Sequence, residues 1–367
     1  MVPKPQILFI IPSMHGGGSE RVVSHLVKNI NPSKFDITLV LIKKEGVFLK
    51  DIPDYVKIID LGLSRTRYAP LKIFNLLWKQ KPNIVFSTLG HLNLVIASLK
   101  LILPKSIRYI ARESSTVSLH NKNEVYPALF DFLFRTVYKS FDKIVCQSEF
   151  MQHDLIHNYN IPLEKTIVIN NPIDEKRINQ AIELAPNPFR HIGKTNFIAV
   201  GRLSKEKGFD RLIKAFQYVQ DDTIHLNIIG EGIDKDKLIA LAKAENVAHR
   251  VSFLGFIHNP YVYMKHAKAL IQTSYYEGFP NVVIEANACG IPVISFKSPG
   301  GIAEIINNAV CGSLVEDGNL IELAKTIVLT AFTTFDRQRI IHQTSERYSL
   351  NKVMGSYEAL FRELLNN

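Results

Sequence analysis

In this 367-residue chain, two acids, Glu277 and Glu285, have a spacing that could support chemistry. Between them Pro280 fits the first turn of a helix, which leaves Glu277 in the preceding loop and puts Glu285 one to two turns inside the helix. The free N–H groups around Phe279 and Asn281 then lie between the two carboxylates. This layout suits a ligand with hydroxyls at both ends and a negatively charged middle, such as a nucleotide sugar. The alternative is an ordinary first-turn acid followed by a solvated one.

Two cations, Arg202 and Lys207, follow an earlier predicted strand, residues 196–200, in the segment 201–208. Arg202 can bind two phosphate oxygens at once, and Lys207 can act as a point charge. Basic residues in a polar loop are usually only solvated, and that remains the alternative here. Their position after a strand favours a ligand role.

Three glycines, Gly16 to Gly18, follow the first predicted strand and precede a helix. Gly17 and Gly18 would let the backbone approach a phosphate at the helix N-terminus. The dinucleotide-binding pattern of spaced glycines fails at Arg21. The alternative is a tight turn with Ser19 as the N-cap.

These residues need a scaffold of strands and helices, and the chain predicts one, because short apolar runs alternate with amphipathic segments along its length. That rhythm is typical of α/β proteins with parallel sheets covered on both faces. We expect two doubly wound, Rossmann-like domains, residues 1–172 and 173–347, and a final segment, 348–367. A ligand is expected at the carboxyl ends of the strands. The proline of Asn171-Pro172 favours a hinge there.

Composition and charge narrow the classes of function. Hydrophobic residues make up 46% of the chain and the three cysteines are widely spaced, which excludes a disordered protein and a disulfide framework. The net charge of +10 is concentrated in residues 1–172, which carry +9. Residues 61–112 hold nine basic side chains and no acid. A polyanion, an anionic membrane or a phosphorylated substrate is implied.

The other candidate features are weaker. The longest apolar stretch, residues 92–103, is too short to span a bilayer. The 12 histidines show no metal-ligand spacing, and only His15 and His91 lie near predicted strand ends. We therefore expect no metal site.

Taken in order, these motifs resemble the retaining GT-B glycosyltransferases of family 4. The resemblance rests on the glycine loop, Gly201-Arg202-Leu203 with Lys207-Gly208, Gly230-Glu231-Gly232, the two spaced acids and Pro299-Gly300-Gly301. It covers nearly the whole chain and is most specific through residues 196–320.

The resemblance implies roles for particular residues and a final helix, around 353–365, that crosses back onto the first domain. The second domain would hold the nucleotide sugar and the first the acceptor. The implied donor roles are Arg202 and Lys207 on the diphosphate, Glu277 on the sugar hydroxyls, Glu285 on the ribose, Phe256 and Ile257 near the base, and Gly17 and Gly18 near the phosphates. Many relatives carry a histidine facing the sugar after the strand at 108–111. Here that loop reads Arg112-Glu113-Ser114-Ser115, so Glu113 or Ser114 is the candidate.

The expected function is transfer of a hexose or N-acetylhexosamine, more readily from a UDP-sugar than from a GDP-sugar, without a metal or other cofactor. The expected acceptor is a cell-surface glycan or a polyprenyl-diphosphate-linked sugar, reached from the cytoplasmic face of the plasma membrane. A helix carrying Leu71, Ile73, Phe74, Leu77 and Trp78 would either lie on that anionic membrane or pack on the first sheet. Alternatives are a nucleotide-sugar epimerase or synthase and a non-catalytic sugar-nucleotide-binding subunit. A nucleic-acid-binding module lacks any supporting motif.

Overall fold

The structure is a computed structural model that describes residues 3–122, 124–191 and 193–366. The chain divides into two compact units, here called unit 1 (Met1–Pro172 with Leu350–Asn367) and unit 2 (Ile173–Ser349). The sequence predicted boundaries at 172/173 and 347/348. In the structure the second boundary lies two residues further along the chain, between Ser349 and Leu350.

Unit 1 is built on a parallel sheet in which the described residues form seven strands, ordered β3-β2-β1-β4-β5-β6-β7. The strands are β1 (Gln6–Ile11), β2 (Asp36–Leu41), β3 (Lys57–Asp60), β4 (Ile84–Thr88), β5 (Arg108–Arg112), β6 (Lys143–Cys146) and β7 (Thr166–Val168). The helices are α1 (Gly18–Asn29), α2 (Pro70–Gln80), α3 (Gly90–Lys100), α4 (Val117–Asn121), α5 (Pro127–Thr136) and α6 (Glu149–Tyr159). Strand order reverses between β1 and β4, the position at which ligands bind in such sheets.

Unit 2 repeats this architecture with six parallel strands in its described residues, ordered β10-β9-β8-β11-β12-β13. The strands are β8 (Thr195–Val200), β9 (Ile224–Ile229), β10 (Val251–Gly255), β11 (Leu270–Gln272), β12 (Val293–Phe296) and β13 (Gly312–Val315). The helices are α7 (Glu175–Ile182), α8 (Phe209–Phe216), α9 (Lys235–Ala244), α10 (Tyr261–His266), α11 (Asn281–Ala288), α12 (Ile302–Ile305), α13 (Leu320–Phe332) and α14 (Arg337–Tyr348). Here the order reverses between β8 and β11.

Both sheets are apolar on both faces, which is what a parallel sheet covered by helices requires. In β1 the five residues from Ile7 to Ile11 are all buried. One face packs with α2, α3 and α6, and the other packs with α1. Unit 2 has the same two-sided core.

The chain returns to unit 1 through α15 (Leu350–Asn366), whose apolar face completes the core beside α1. Phe361 is fully buried and meets Phe9, Phe35 and Phe86 edge-on, with ring centroids 6.0–6.4 Å apart. Such aromatic contacts stabilise the fold beyond the free energy gained by burying the rings. The last helix is therefore an integral part of the unit 1 core.

Replacing Phe361 with alanine should lower the free energy of unfolding by about 3–5 kcal/mol, because the change leaves a cavity among three aromatic rings. Urea denaturation followed by circular dichroism measures this. Phe332→Ala is the matched control, since Phe332 on α13 is 76% exposed and should change stability by less than about 0.5 kcal/mol. Equal effects of the two changes would show that α15 does not stabilise the core.

Candidate functional site

Lys207 and Glu277 lie 70 residues apart in the sequence and meet at the carboxyl edge of the second sheet. The loop after β8 carries Lys207, the loop after β11 carries Glu277, and β8 and β11 are the two strands between which the order reverses. Lys207 Nζ donates to Glu277 Oε1 at 2.6 Å, with 29% and 14% of the side chains exposed. The structure thus brings together a cation and an acid that the sequence predicted to bind one ligand.

The Glu277 carboxylate is held by further donors. Ser274 Oγ donates to Oε1 at 2.7 Å and Gln272 Nε2 donates to it at 2.9 Å, while Gln272 also bonds Ser274 at 2.7 Å. Charge-assisted bonds of this kind fix the orientation of a carboxylate. Sequence analysis missed Gln272 and Ser274, although their position at the end of a predicted strand was a usable signal.

The loop that carries Glu277 is packed too closely for side chains at two glycines. A Cβ at Gly208, where φ is +62°, would collide with the Thr273 carbonyl, and one at Gly300, where φ is +129°, would collide with the Glu277 carbonyl. The Glu277 N–H also donates to the Pro299 carbonyl at 3.0 Å. The Pro299-Gly300-Gly301 motif therefore supports the Glu277 loop.

Arg211 on α8 binds the same loop, which carries Glu277, through backbone carbonyls. Its guanidinium donates to the carbonyls of Thr273 and Ser274 at 2.6 Å and pairs with Asp317 at 2.7 Å. It also lies over the Tyr275 ring, 4.1 Å from the centroid. Such a buried cation is well compensated. Nothing in the sequence distinguished Arg211 from a surface arginine of a helix.

Within the described chain, the other predicted donor residues take no part in the hydrogen bonds of this pair. Arg202 is exposed at the end of β8, and its guanidinium has no partner among the described residues. Glu285 lies in the second turn of α11, where Tyr261 donates to it at 3.3 Å. Phe256 is 66% exposed just after β10, beside Ile257. The ligand contacts assigned to these residues stay predictions.

For Phe279 the sequence predicted a ligand contact through the backbone N–H groups, and that contact stays a prediction. The ring is 5% exposed and packs on Tyr348 at 5.5 Å, because it faces the core beneath α11. Only backbone groups at this helix start can face a ligand. No side chain caps the helix at its Pro280 N-cap, and Asn281 is the first helical residue.

In unit 1 the glycine turn, Gly16 to Gly18, does not have the structure that one of its two interpretations predicted. The N-cap of α1 is Gly17, so Ser19 lies inside the helix and the Ser19 cap is wrong. A Cβ at Gly17 would overlap the Glu20 carboxylate, which therefore folds back over the first turn. An acid there is stabilised by the helix dipole. Gly18 is the first helical residue, and its approach to a phosphate stays a prediction.

Glu113 lies at the carboxyl end of β5 and is almost fully buried. Asn93 Nδ2 donates to its Oε1 at 2.9 Å, and Tyr138 donates to the same oxygen. Burial raises the pKa of Glu113 to about 8, against the opposing effects of Asn93 and the neighbouring Arg112. The carboxyl is therefore largely protonated at neutral pH and offers an O–H group.

Arg112 beside it is fully buried, and burial lowers its pKa. Its Nη2 donates to Asn171 Oδ1 at 2.6 Å, and Asn171 in turn donates to Gln147 at 2.9 Å. The residue predicted to lie at a hinge is thus held by two side chains of unit 1.

Glu113 and Ser114 line a cavity of about 330 Å³ within unit 1. Its walls come from residues that follow β1, β4 and β5, together with α4 and α5. His91, His120 and Glu124 line it as well, and their donor atoms lie within 4.8 Å of one another. The structure thus brings together three possible metal ligands, of which His91 lies far from the other two in the chain, while the expectation of no metal site stays a prediction.

The free energy of unfolding should depend on pH through Glu113. An ordinary glutamate titrates near 4.5 and the folded carboxyl near 8, so the folded state keeps its proton over that interval. The free energy of unfolding then falls as pH rises from about 4.5 to about 8, by up to about 1.4 kcal/mol per pH unit. Urea midpoints of Glu113→Gln should lack this slope, whereas the exposed control Glu164→Gln should retain it. Parallel profiles for all three proteins would contradict the raised pKa.

Comparisons with known proteins agree with this geometry. Residues 168–334 match the family model of glycosyl transferases group 1, and residues 16–177 match that of glycosyltransferase family 4. No helix among the described residues is both long and apolar enough to cross a bilayer.

One similar protein is the Campylobacter jejuni (subsp. jejuni serotype O:2) N-acetylgalactosamine-N,N'-diacetylbacillosaminyl-diphospho-undecaprenol 4-alpha-N-acetylgalactosaminyltransferase. It is 32% identical over 322 residues, which are 84% of this chain and 85% of the relative. A Staphylococcus aureus (strain COL) poly(ribitol-phosphate) alpha-N-acetylglucosaminyltransferase is 29% identical over 172 residues, 44% of this chain and 34% of the relative.

Among solved structures, Anabaena Alr3699/HepE in complex with UDP and glucose superposes with a TM-score of 0.83 at 18% identity, covering 98% of this chain and 100% of that one. This likeness establishes the GT-B fold. The length and identity of the Campylobacter match establish the family. The chain is a glycosyltransferase and belongs to the group 1 and family 4 glycosyltransferases.

Proposed function

We propose that this enzyme transfers a hexose or N-acetylhexosamine from a UDP-sugar, with retention of configuration, to a cell-surface glycan or lipid-linked acceptor. The observation that carries the proposal is the contact of Lys207 with Glu277 at the edge of the second sheet. A cation suited to a diphosphate lies there beside an acid suited to sugar hydroxyls. The family resemblance implies that the two residues serve one donor.

The leaving diphosphate gains negative charge as the bond to the sugar breaks, and fixed cations stabilise that charge. We assign this role to Arg202 and Lys207, so that the transfer step itself needs no metal. On donor binding Lys207 exchanges its contact with Glu277 for a phosphate oxygen, and Glu277 then accepts bonds from the sugar hydroxyls. Glu285 binds the ribose.

The remaining donor contacts are assigned by position. Phe256 and Ile257 lie after β10 and offer an apolar surface to the base. We assign the backbone at Phe279 and Asn281 to phosphate oxygens, and for Gly17 and Gly18 a phosphate contact is what the family resemblance implies.

The similar proteins support the substrate classes. The Campylobacter relative is named for transfer to a diphospho-undecaprenol-linked sugar, and the Anabaena protein was solved with UDP and glucose. A lipid-linked acceptor with a diphosphate fits the charge of residues 1–172, which carry +9. The protonated Glu113 and the hydroxyl of Ser114 are proposed to bond the acceptor or the far side of the sugar. Retention rests on the family resemblance.

Two other activities receive less support. An epimerase or synthase would convert the donor without a glycan acceptor, whereas the similar proteins cited above are named transferases. A non-catalytic subunit would not need both Lys207 and Glu277 held in one polar network. Formation of an isomeric nucleotide sugar in the absence of acceptor would favour the epimerase.

Lys207→Ala and Arg202→Ala should each lower kcat for UDP-sugar hydrolysis and transfer by about 10²–10³-fold, because each removes a cation from the departing diphosphate. Lys205→Ala is the matched control, since Lys205 is exposed in the same loop and should leave the rate unchanged. Nucleotide release from UDP-sugars and GDP-sugars measures both the effect and the donor preference. A wild-type rate in Lys207→Ala would contradict the assignment.

The apolar residues of α2 do not form the single stripe that the sequence predicted. Ile73 and Leu77 are fully buried against the first sheet, whereas Leu71 is 78% exposed and Trp78 is 52% exposed. Phe74 stacks on Trp78 at 5.6 Å. The helix thus has a buried stripe and an outer one. We propose that the outer stripe enters the interfacial region of an anionic membrane at the inner face of the plasma membrane.

The double variant Leu71→Ala/Trp78→Ala should therefore sediment less with vesicles that contain phosphatidylglycerol. High salt should also reduce sedimentation of the wild type, because basic residues near α2 contribute to binding. Leu329→Ala/Phe332→Ala on α13 of unit 2 is the control, because both side chains are equally exposed there. Binding that does not depend on anionic lipid would contradict the proposal.

A further inference from the structure

Two imidazoles and one carboxylate converge at the rim of the unit 1 cavity. His91 Nε2 lies 2.8 Å from Glu124 Oε1, and His120 Nε2 lies 3.3 Å from the same oxygen. His91 is the second residue of α3, His120 lies on α4, and Glu124 is four residues further along. The three side chains come from the two segments that follow the neighbouring strands β4 and β5.

The surroundings of Glu124 are unusual for a surface acid. Only 17% of its side chain is exposed, and within the described part of the chain its ion-pair partners are the two histidines, without a lysine or arginine. Phe130 packs edge-on against the His91 ring, with centroids 4.9 Å apart, which restrains that ring. Among the described residues, the half-buried carboxylate therefore has no permanent cation as a partner.

Two imidazole nitrogens and one carboxylate oxygen are a donor set that Zn²⁺ and similar transition metals bind, with the remaining coordination positions open. With metal–ligand bonds of about 2.0–2.1 Å, ligand atoms in a tetrahedron lie roughly 3.3 Å apart. The two distances to Glu124 Oε1 are close to that value, and all three ligand atoms lie within 4.8 Å of one another, so side-chain movements can bring them around one metal ion.

We propose that His91, His120 and Glu124 bind a divalent transition metal whose open positions face the unit 1 cavity. The role of that metal rests on the proposed function: it binds a phosphate oxygen of the acceptor. Ser114 and Ser115 line the same cavity and can bond the other oxygens. The leaving group of the donor remains with Arg202 and Lys207, so this metal anchors the acceptor and does not take part in the departure of the nucleotide.

Co²⁺ is the probe, because its visible absorption reports coordination by protein ligands. The purified protein, first treated with a chelator and dialysed, should bind one equivalent of Co²⁺ that Zn²⁺ displaces. His91→Gln and His120→Gln should each weaken Co²⁺ binding by at least about tenfold. His342→Gln is the control, because His342 pairs with Glu346 at the same four-residue spacing on α14 without a third ligand in the described chain.

Absence of a Co²⁺ band, or equal binding by the wild type and His120→Gln, overturns the proposal. Thermal melts of the apoproteins check that each variant folds, and Glu124→Gln provides an independent loss of one ligand. This measurement uses no donor or acceptor, so it can succeed where the proposed transfer activity fails. Lys207→Ala should bind Co²⁺ normally.

The role in acceptor binding has its own readout. Removal of the metal should raise the KM for the acceptor by at least about tenfold while leaving hydrolysis of the UDP-sugar unchanged. An acceptor KM that does not change on metal removal would refute the role, even if Co²⁺ binds.

Discussion

The close approach of loops at the carboxyl edge of the second sheet is the constraint on which the contact of Lys207 with Glu277 depends. Gly208 lies against the Thr273 carbonyl and Gly300 against the Glu277 carbonyl, at distances that exclude a side chain. The contact of Gly208 with Thr273 brings the loops after β8 and β11 close together, and Lys207 reaches Glu277 there. The contact combines charges that would be costly to bury separately. Arg211 and its aromatic neighbours then hold the loop from the side of the core.

In unit 1 a buried acid, Glu113, lines the cavity and lies next to a buried arginine, Arg112. Arg112 is compensated by the amide oxygen of Asn171, whereas Glu113 keeps its proton and shares bonds with Asn93 and Tyr138. A neutral carboxyl can donate a hydrogen bond without repelling an anionic substrate. This arrangement suits a site for a sugar phosphate better than an exposed carboxylate would.

Much of the fold could be predicted from periodicity. The strands predicted at residues 196–200 and 108–111 agree with β8 and β5 to within one residue, because buried parallel strands form nearly unbroken apolar runs. The helix α14 was missed, since its buried residues Ile340, Thr344 and Tyr348 include only one aliphatic side chain. The helix α3 was noticed only as an apolar stretch. Apolar periodicity therefore does not predict a helix whose buried positions hold polar or aromatic side chains.

The candidate site divides in the same way. Lys207 and Glu277 could be predicted to lie together, because each follows a strand and such positions are set by local sequence. The roles of Arg211 and Asn93 could not be predicted, because an arginine or an asparagine on a helix has the same local pattern whether it faces solvent or a buried carbonyl.

The sequence by itself determined which segments become strands and helices, and therefore which residues lie at strand ends. Those properties depend on side-chain spacing within a few residues. Only the tertiary structure decided that β8 lies beside β11, that His91 meets His120 and Glu124, and that the apolar residues of α2 form a buried and an exposed stripe. These outcomes depend on strand order and packing between segments far apart in the chain, and local spacing does not encode them.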